Sequence, residues 1–216
     1  SIAITSTSSQ LSITGTQLIN DAGALSVISG SYTLVVSAVL AANAAAAQAN
    51  THVTSFTITD SSANVAANFN ALNADSKISG VTLTDTNALS ISYSQLTADT
   101  FIIGKLPSTW TAVVSAVTAA GAASVQSNTH ITSFAVTDSS ANVATNFDAL
   151  NSDTKISGAT LTDNTPLSIT YAQLTTDTFI LSKLPSTYQL AVSAVTVANA
   201  GTAQANTHVT SFAVSD

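Results

Sequence analysis

The chain contains no cysteine, methionine, glutamate or arginine. The missing cysteine excludes disulfides, thiolate metal sites and cysteine nucleophiles, and leaves the compartment open. Charge is scarce. Only 7% of residues are charged, where ordinary globular domains have about a quarter. Every acid is Asp and every base is Lys, and the net charge of −7 is spread along the chain. An acidic chain without arginine suits neither nucleic acid, whose phosphates need cations, nor an anionic membrane surface. Long apolar runs are missing too. The run Ala41–Ala47 is interrupted by Asn43, and no run reaches the ~18 residues needed to span a bilayer, so no membrane insertion is expected. With no methionine, the chain reads as a segment of something longer, or as a subunit that joins end to end.

What is present is apolar and repetitive. The chain is 45% hydrophobic with a mean hydropathy of +0.38, which is enough to bury a core and unlike a disordered tail. The surface must then be covered by Ser, Thr, Asn and Gln. The hexapeptide Thr51–Phe56 returns at Thr129–Phe134 and again at Thr207–Phe212, each time 78 residues later. Aligned without a gap, residues 51–128 and 129–206 are identical at roughly two-thirds of positions, and a fixed period is the mark of a repeat architecture. Residues 1–50 form a partial repeat, 51–128 and 129–206 are full repeats, and 207–216 open a further one. Leu11-Ser12-Ile13 matches Leu89-Ser90-Ile91, while before Leu11 the match needs a one-residue slip.

Each copy divides into three strand-then-helix units. The first has a β-branched run, Val53–Thr59, with Phe56 and Ile58 on one face. Asp60-Ser61-Ser62 then offers a helix cap, and Val65, Phe69 and Leu72 recur at helical spacing. The second starts at Lys77, turns at Asp85-Thr86-Asn87 and has a short extra strand at Leu89 and Ile91. A helix carrying Leu96, Ile103 and Leu106 follows, ended by Pro107. The third starts near Trp110, where the other copies have Tyr32 and Tyr188. Its run Val113–Val117 is apolar on both faces, as in a covered parallel strand. A small-residue helix, Ala119–Gln126, then ends at Asn128, a residue that tolerates a left-handed cap.

These lengths suit one coil each of an α/β solenoid: stacked strand-helix coils with a parallel β-sheet, three coils per 78-residue repeat, running as one continuous solenoid over 1–216. An all-β parallel β-helix is the nearer alternative. A string of β-sandwiches fits less well, since Ser61–Asp75 and Tyr93–Leu106 do not alternate with period two and no Pro- or Gly-rich linker separates the copies.

The stretches Phe56–Ser79 and Phe134–Ser157, with Gly158–Asp163 and Tyr188–Val195, resemble repeats of very large bacterial surface or secreted proteins, adhesin-like and exported by type I secretion. The resemblance covers essentially the whole chain. It implies an extracellular or cell-surface location and an elongated structural or adhesive role. Such proteins often carry glycine-rich calcium nonapeptides. Here eight glycines are scattered and form no such run, so calcium-dependent folding does not carry over.

His52, His130 and His208 are repeat-equivalent and raise a metal ladder. Copies three coils apart would stand ~14 Å from one another, far beyond the ~2.1 Å of a zinc–ligand bond, so a copied polar strand-start residue is the better reading. Asp60, Asp138 and Asp216, and Asp85 and Asp163, close strands. Calcium would need several oxygens per ion, whereas each motif offers one carboxylate, and capping accounts for Asp-Ser-Ser directly. Calcium stays open as the one cofactor to consider. Asp99 and Asp177 read as exposed helix positions. No nucleophile elbow or Walker loop exists: Gly104-Lys105-Leu106 lacks the earlier glycine and the following Ser or Thr. Trp110, Tyr32 and Tyr188 invite sugar stacking but occur singly, and the pairs Thr57/Thr59, Thr82/Thr84 and Thr160/Thr162 invite an ice- or water-ordering face that Ala-Val and Ser-Ala interrupt. No catalytic, cofactor or metal residue is assigned. The expected function is structural and non-enzymatic, in a filament, surface layer or adhesin stalk whose partners are copies of itself or the rest of a longer chain. A carbohydrate- or ice-binding module is the alternative.

Overall fold

The computed structural model describes residues 2–3 and 9–215 and divides into two units, Ser1–Thr111 and Ala112–Asp216. The first contains strands β1 (Ile2–Ala3) and β2 (Gln10–Thr14), helices α1 (Gly15–Asn20) and α2 (Ala22–Ser26), and strands β3 (Ile28–Ser29) and β4 (Thr33–Val39). It continues with α3 (Ala44–Ala49), β5 (Val53–Asp60), α4 (Ser62–Ala67), α5 (Phe69–Ala74), β6 (Ile78–Leu83), β7 (Leu89–Ser92), α6 (Tyr93–Ala98) and α7 (Thr100–Ile103). The second contains β8 (Ala112–Val117), α8 (Ala122–Ser127), β9 (Ile131–Asp138), α9 (Ser140–Thr145), α10 (Phe147–Ser152) and β10 (Ile156–Leu161). It ends with β11 (Leu167–Thr170), α11 (Tyr171–Thr176), α12 (Thr178–Leu181), β12 (Leu190–Val195), α13 (Ala200–Ala205) and β13 (Val209–Val214).

The fold is α/β, built from parallel sheets of strand-helix units. In the first unit β2, β4, β5 and β6 lie side by side in that order, and β1 pairs with β3. In the second, β9 lies between β8 and β10, and β12 lies between β11 and β13. Each of these pairings is parallel, and the chain between paired strands is short and largely helical, which excludes sandwiches and the all-β alternative. The extra strand at Leu89 is present as β7, against which α4 packs.

The strand in each first unit forms as its β-branched residues require. Val53, Phe56 and Ile58 point inward at 0–1% exposure, each worth ~1.5–3 kcal/mol on full burial. The long helices of the sequence reading are pairs of short ones. Asn68 breaks the first: its side-chain amide donates to the Asn64 carbonyl at 2.9 Å, and its φ of −106° leaves the helical range. Asparagine offers the backbone this local alternative to the helix ladder. Val65, Phe69 and Leu72, which keep helical spacing across the break, all reach the core. A second break at Asp99 re-phases α7. Ile102 is fully buried as a result, while Ile103, Leu96 and Leu106 are only half-buried, contrary to the periodicity reading.

Two other expectations fail. Asn128 closes α8 in an extended conformation (φ −74°, ψ 119°), not a left-handed one. Val113 is 38% exposed, so β8 buries one face only. Within that strand and its counterparts, Ala38, Ala116 and Ala194 adopt φ of 53°, 56° and 55°. Each occupies a bulge, as where Val36 pairs with Phe56 but Val39 with Ile58. Left-handed alanine costs ~1–2 kcal/mol, and the bulge turns the strand end toward the next corner.

Candidate functional site

The polar chemistry gathers at the corners between strands and helices. At the strand-to-helix corner, Ser61 is the N-cap of α4 and accepts from the Asn64 N–H. Asp60 reaches the neighbouring chain pass instead: its carboxylate accepts from the Ala41 N–H at 3.0 Å, at the start of a short turn of 3-10 helix, as well as from Ser61 N–H and the Asn64 side chain. Asp85, one pass later, accepts from the Ser62 hydroxyl at 2.6 Å and from the Ser62 N–H. Asp138 repeats this on Ala119, and Asp163 on Ser140. Burial alone would raise the Asp60 and Asp138 pKa values, but the donated hydrogen bonds outweigh it and hold both below the ordinary value. Asp85 and Asp163 are lowered chiefly by the serine hydroxyls. Capping within the motif is thus present at Ser61, as the sequence implies, and Asp60 and Asp85 add ties between chain passes that sequence reasoning did not place. Asp216 lies outside the described residues.

The helix-to-strand corner is the reverse. Asp75 and Asp153 are 7% and 6% exposed at the C-termini of α5 and α10, and Oδ2 of each has no hydrogen-bond partner. Burial raises their pKa values. At the same kind of corner Asn50 accepts from the N–H two residues on, at His52. For Asp75 that N–H belongs to Lys77 and is taken by Gln48 Oε1 from the previous pass, at 3.0 Å. Lys77 Nζ caps that pass as well, donating to the carbonyls of Gln48 and Asn50 at 2.8 Å. Asp99 and Asp177, expected on the surface, are 9% and 8% exposed, each with an unpartnered Oδ2. Asp177 is raised by burial and by the neighbouring Asp148. The lysine caps carried no signal in the sequence, since a carbonyl partner can lie anywhere. The capping boxes Thr14-x-x-Gln17, Ser92-x-x-Gln95 and Thr170-x-x-Gln173 did.

The histidines are structural neighbours of the aromatics. His52 stacks on Tyr32 with ring centroids 4.0 Å apart, and its Nδ1 lies 3.1 Å from the Tyr32 carbonyl. His208 repeats this on Tyr188 at 3.9 Å and 3.0 Å. His130 takes the same hydrogen bond from its N–H to Asn128 as His52 does to Asn50. Among the described residues no group of three or more His, Cys, Asp or Glu comes together. Lys105 and Lys183 lie over the rings of Phe101 and Phe179 at 5.1 and 5.0 Å.

Two repeat-equivalent grooves of about 330 and 310 Å³ lie beside these corners. The first opens between Val81, whose N–H bonds to the Lys105 carbonyl, and Leu89, whose N–H bonds to that of Thr111. Asp85, Asn87, Thr109 and Trp110 line it. The second has Asp163, Thr165, Thr187 and Tyr188 in their places. Trp110 is only 6% exposed, so its ring faces are packed and not presented. Thr82, Thr84, Thr160 and Thr162 are exposed. Comparison with known proteins finds no match: no family model fits the chain, and no curated protein or solved structure resembles it significantly. No helix among the described residues is long and apolar enough to cross a membrane.

Proposed function

We propose that the chain is a structural repeat protein of a bacterial extracellular filament, surface layer or adhesin stalk, acting without catalysis and coiling as one solenoid. The observation that supports this is the ties between successive chain passes. Asp60, Asp85, Gln48 and Lys77 each bond to the backbone of a neighbouring pass, and equivalents of these bonds recur 78 residues on. Such ties make each pass the template for the next, as an array whose stability grows with repeat number requires. Cryo-electron microscopy of native material tests it. Filaments or lattices with a strand repeat of ~4.8 Å along the axis are expected. Isolated particles without that repeat would overturn the reading.

The exposed threonines and the paired grooves favour a second reading, a carbohydrate- or ice-binding face. It predicts glycan-array signal, or ice-recrystallisation inhibition, that is lost on Thr82→Ala together with Thr160→Ala. Silence in both assays would dismiss it.

A further inference from the structure

The grooves at Asp85 and Asp163 open where a parallel ladder stops, and a proline stops it. The Thr84 N–H bonds to the Asp60 carbonyl, and Ile58 and Asp60 stand opposite Val81 and Leu83. In a parallel pair this alternation turns the N–H and C=O of Val81 and Leu83 away from β5, toward the next pass. Val81 finds one partner there, donating to the Lys105 carbonyl at 2.9 Å. A continuing ladder would return an N–H to the Val81 carbonyl from the residue two beyond Lys105. That residue is Pro107, which has none. Among the described residues the Val81 carbonyl and the Leu83 N–H have no protein partner on that edge. The second copy repeats the arrangement: Ala159 donates to the Lys183 carbonyl at 2.7 Å, and Pro185 stands two beyond it. Each gap is closed again further on, by the Leu89 N–H on the Thr111 carbonyl and the Leu167 N–H on that of Gln189.

These boundaries set what can enter. A gap bonded at both ends cannot take a strand running through it, so the occupant is compact. Volumes of about 330 and 310 Å³ fall at the small end of ligand pockets. None of the lining residues is cationic, which disfavours phosphate and carboxylate groups. The Leu83 N–H, facing the gap, disfavours a bare cation. The edge asks for a donor to Val81 beside an acceptor from Leu83. An uncharged ring with adjacent hydroxyls supplies both, since each hydroxyl donates and accepts. Asp85, fixed by the Ser62 hydroxyl and the Asn87 N–H, offers a further acceptor, and Pro107 and Trp110 give an apolar wall. We infer that the groove of each full repeat takes one ring of an uncharged saccharide. This rests on the carbohydrate reading above and moves the contact from the exposed threonine face to the edge that the proline opens. The second groove has Thr165 for Asn87 and Tyr188 for Trp110, so its preference among sugars differs.

The full chain, isotope-labelled for NMR, is titrated with glucose, galactose, mannose and N-acetylglucosamine, with inorganic phosphate as the control. At least one sugar is expected to shift the Leu83 and Leu161 amide resonances saturably, and phosphate to leave them in place. Pro107→Ser supplies the missing N–H with the residue type that the earlier copy carries at Ser29. It is expected to weaken the Leu83 titration about tenfold, the worth of one hydrogen bond, while the Leu161 titration persists. Thr109→Ala, at an exposed position on the rim, should weaken it about threefold. Undiminished binding at Leu83 in either folded variant would overturn the inference. So would sugar binding on a glycan array that leaves both amides unmoved, and the threonine face would then stand as the site. Silence on the array and in the titration would dismiss the groove and the carbohydrate reading together.

Discussion

The two corners of each strand-helix unit use the same residue for opposite ends. Asp60 and Asp138 sit where a strand enters helical turns, and donors converge on them. Asp75 and Asp153 sit where a helix ends, with one carboxylate oxygen partnerless. The cause is backbone polarity. A helical turn starts with unpaired N–H groups and a partial positive charge, and it ends with unpaired carbonyls and a partial negative one. An aspartate at the start is held ionised by the hydrogen bonds donated to it, and burial pushes one at the end, where no such donors are offered, toward its neutral form. At the helix ends the favourable residues are Lys77, which donates, and Asn50, which accepts without a charge. Where an aspartate stands there instead, it weakens the fold at neutral pH.

The largest effect expected from breaking the contrast is at the first corner. Asp60→Ala removes three accepted hydrogen bonds and leaves the Ala41 N–H without its acceptor. A loss of about 2 kcal/mol is expected, read from the urea midpoint, and Asp60→Asn should recover part of it. At the second corner the sign reverses. Asp75→Asn should raise stability by about 1 kcal/mol at pH 7 by removing a buried charge with one partnerless oxygen. A destabilised Asp75→Asn would mean that the carboxylate has a partner that matters.

The pH dependence separates the two corners. Asp75, Asp153 and Asp177 have folded pKa values above the ordinary 3.8. The folded state keeps their protons longer than the unfolded chain does, so their contribution is complete below about pH 4 and is lost as pH rises through the folded pKa. Asp60, Asp85, Asp138 and Asp163 have folded values below 3.8. Their contribution is present above that value and is lost as pH falls through the folded pKa. The parent's urea midpoint should decline above about pH 4 and collapse in acid; Asp75→Asn/Asp153→Asn/Asp177→Asn should lose the decline and keep the collapse. The smallest effect compares the copies themselves. Asp148 stands where the earlier copy has Asn70, and each accepts from a glutamine amide at 2.6 Å. Asp148→Asn should lower the Asp177 pKa, followed by NMR titration, with under about 0.5 kcal/mol change in stability.

The repeat, the strand at Val53–Asp60, the extra strand at Leu89 and the Asp-turn-Asn corner were all legible in the residues, because each depends on local pattern. The helix breaks were not. Asn68 is an ordinary surface residue by composition, and Val65, Phe69 and Leu72 keep helical spacing across it, so nothing in the pattern marks the break. The burial of Asp99 and Asp177 was also missed, since a charged residue on a helical pattern reads as exposed until its neighbours are placed.

What the sequence by itself determined is the period and the type of each element. Apolar spacing, β-branching and turn residues act within a few positions of one another. What only the tertiary structure decided is which pass caps which. Ala41 and Asp60 are 19 residues apart, and Gln48 and Lys77 are 29 apart. No local rule selects such a pair. Only parallel stacking brings a carboxylate within 3 Å of a particular N–H, and the same stacking leaves Asp75 buried without one.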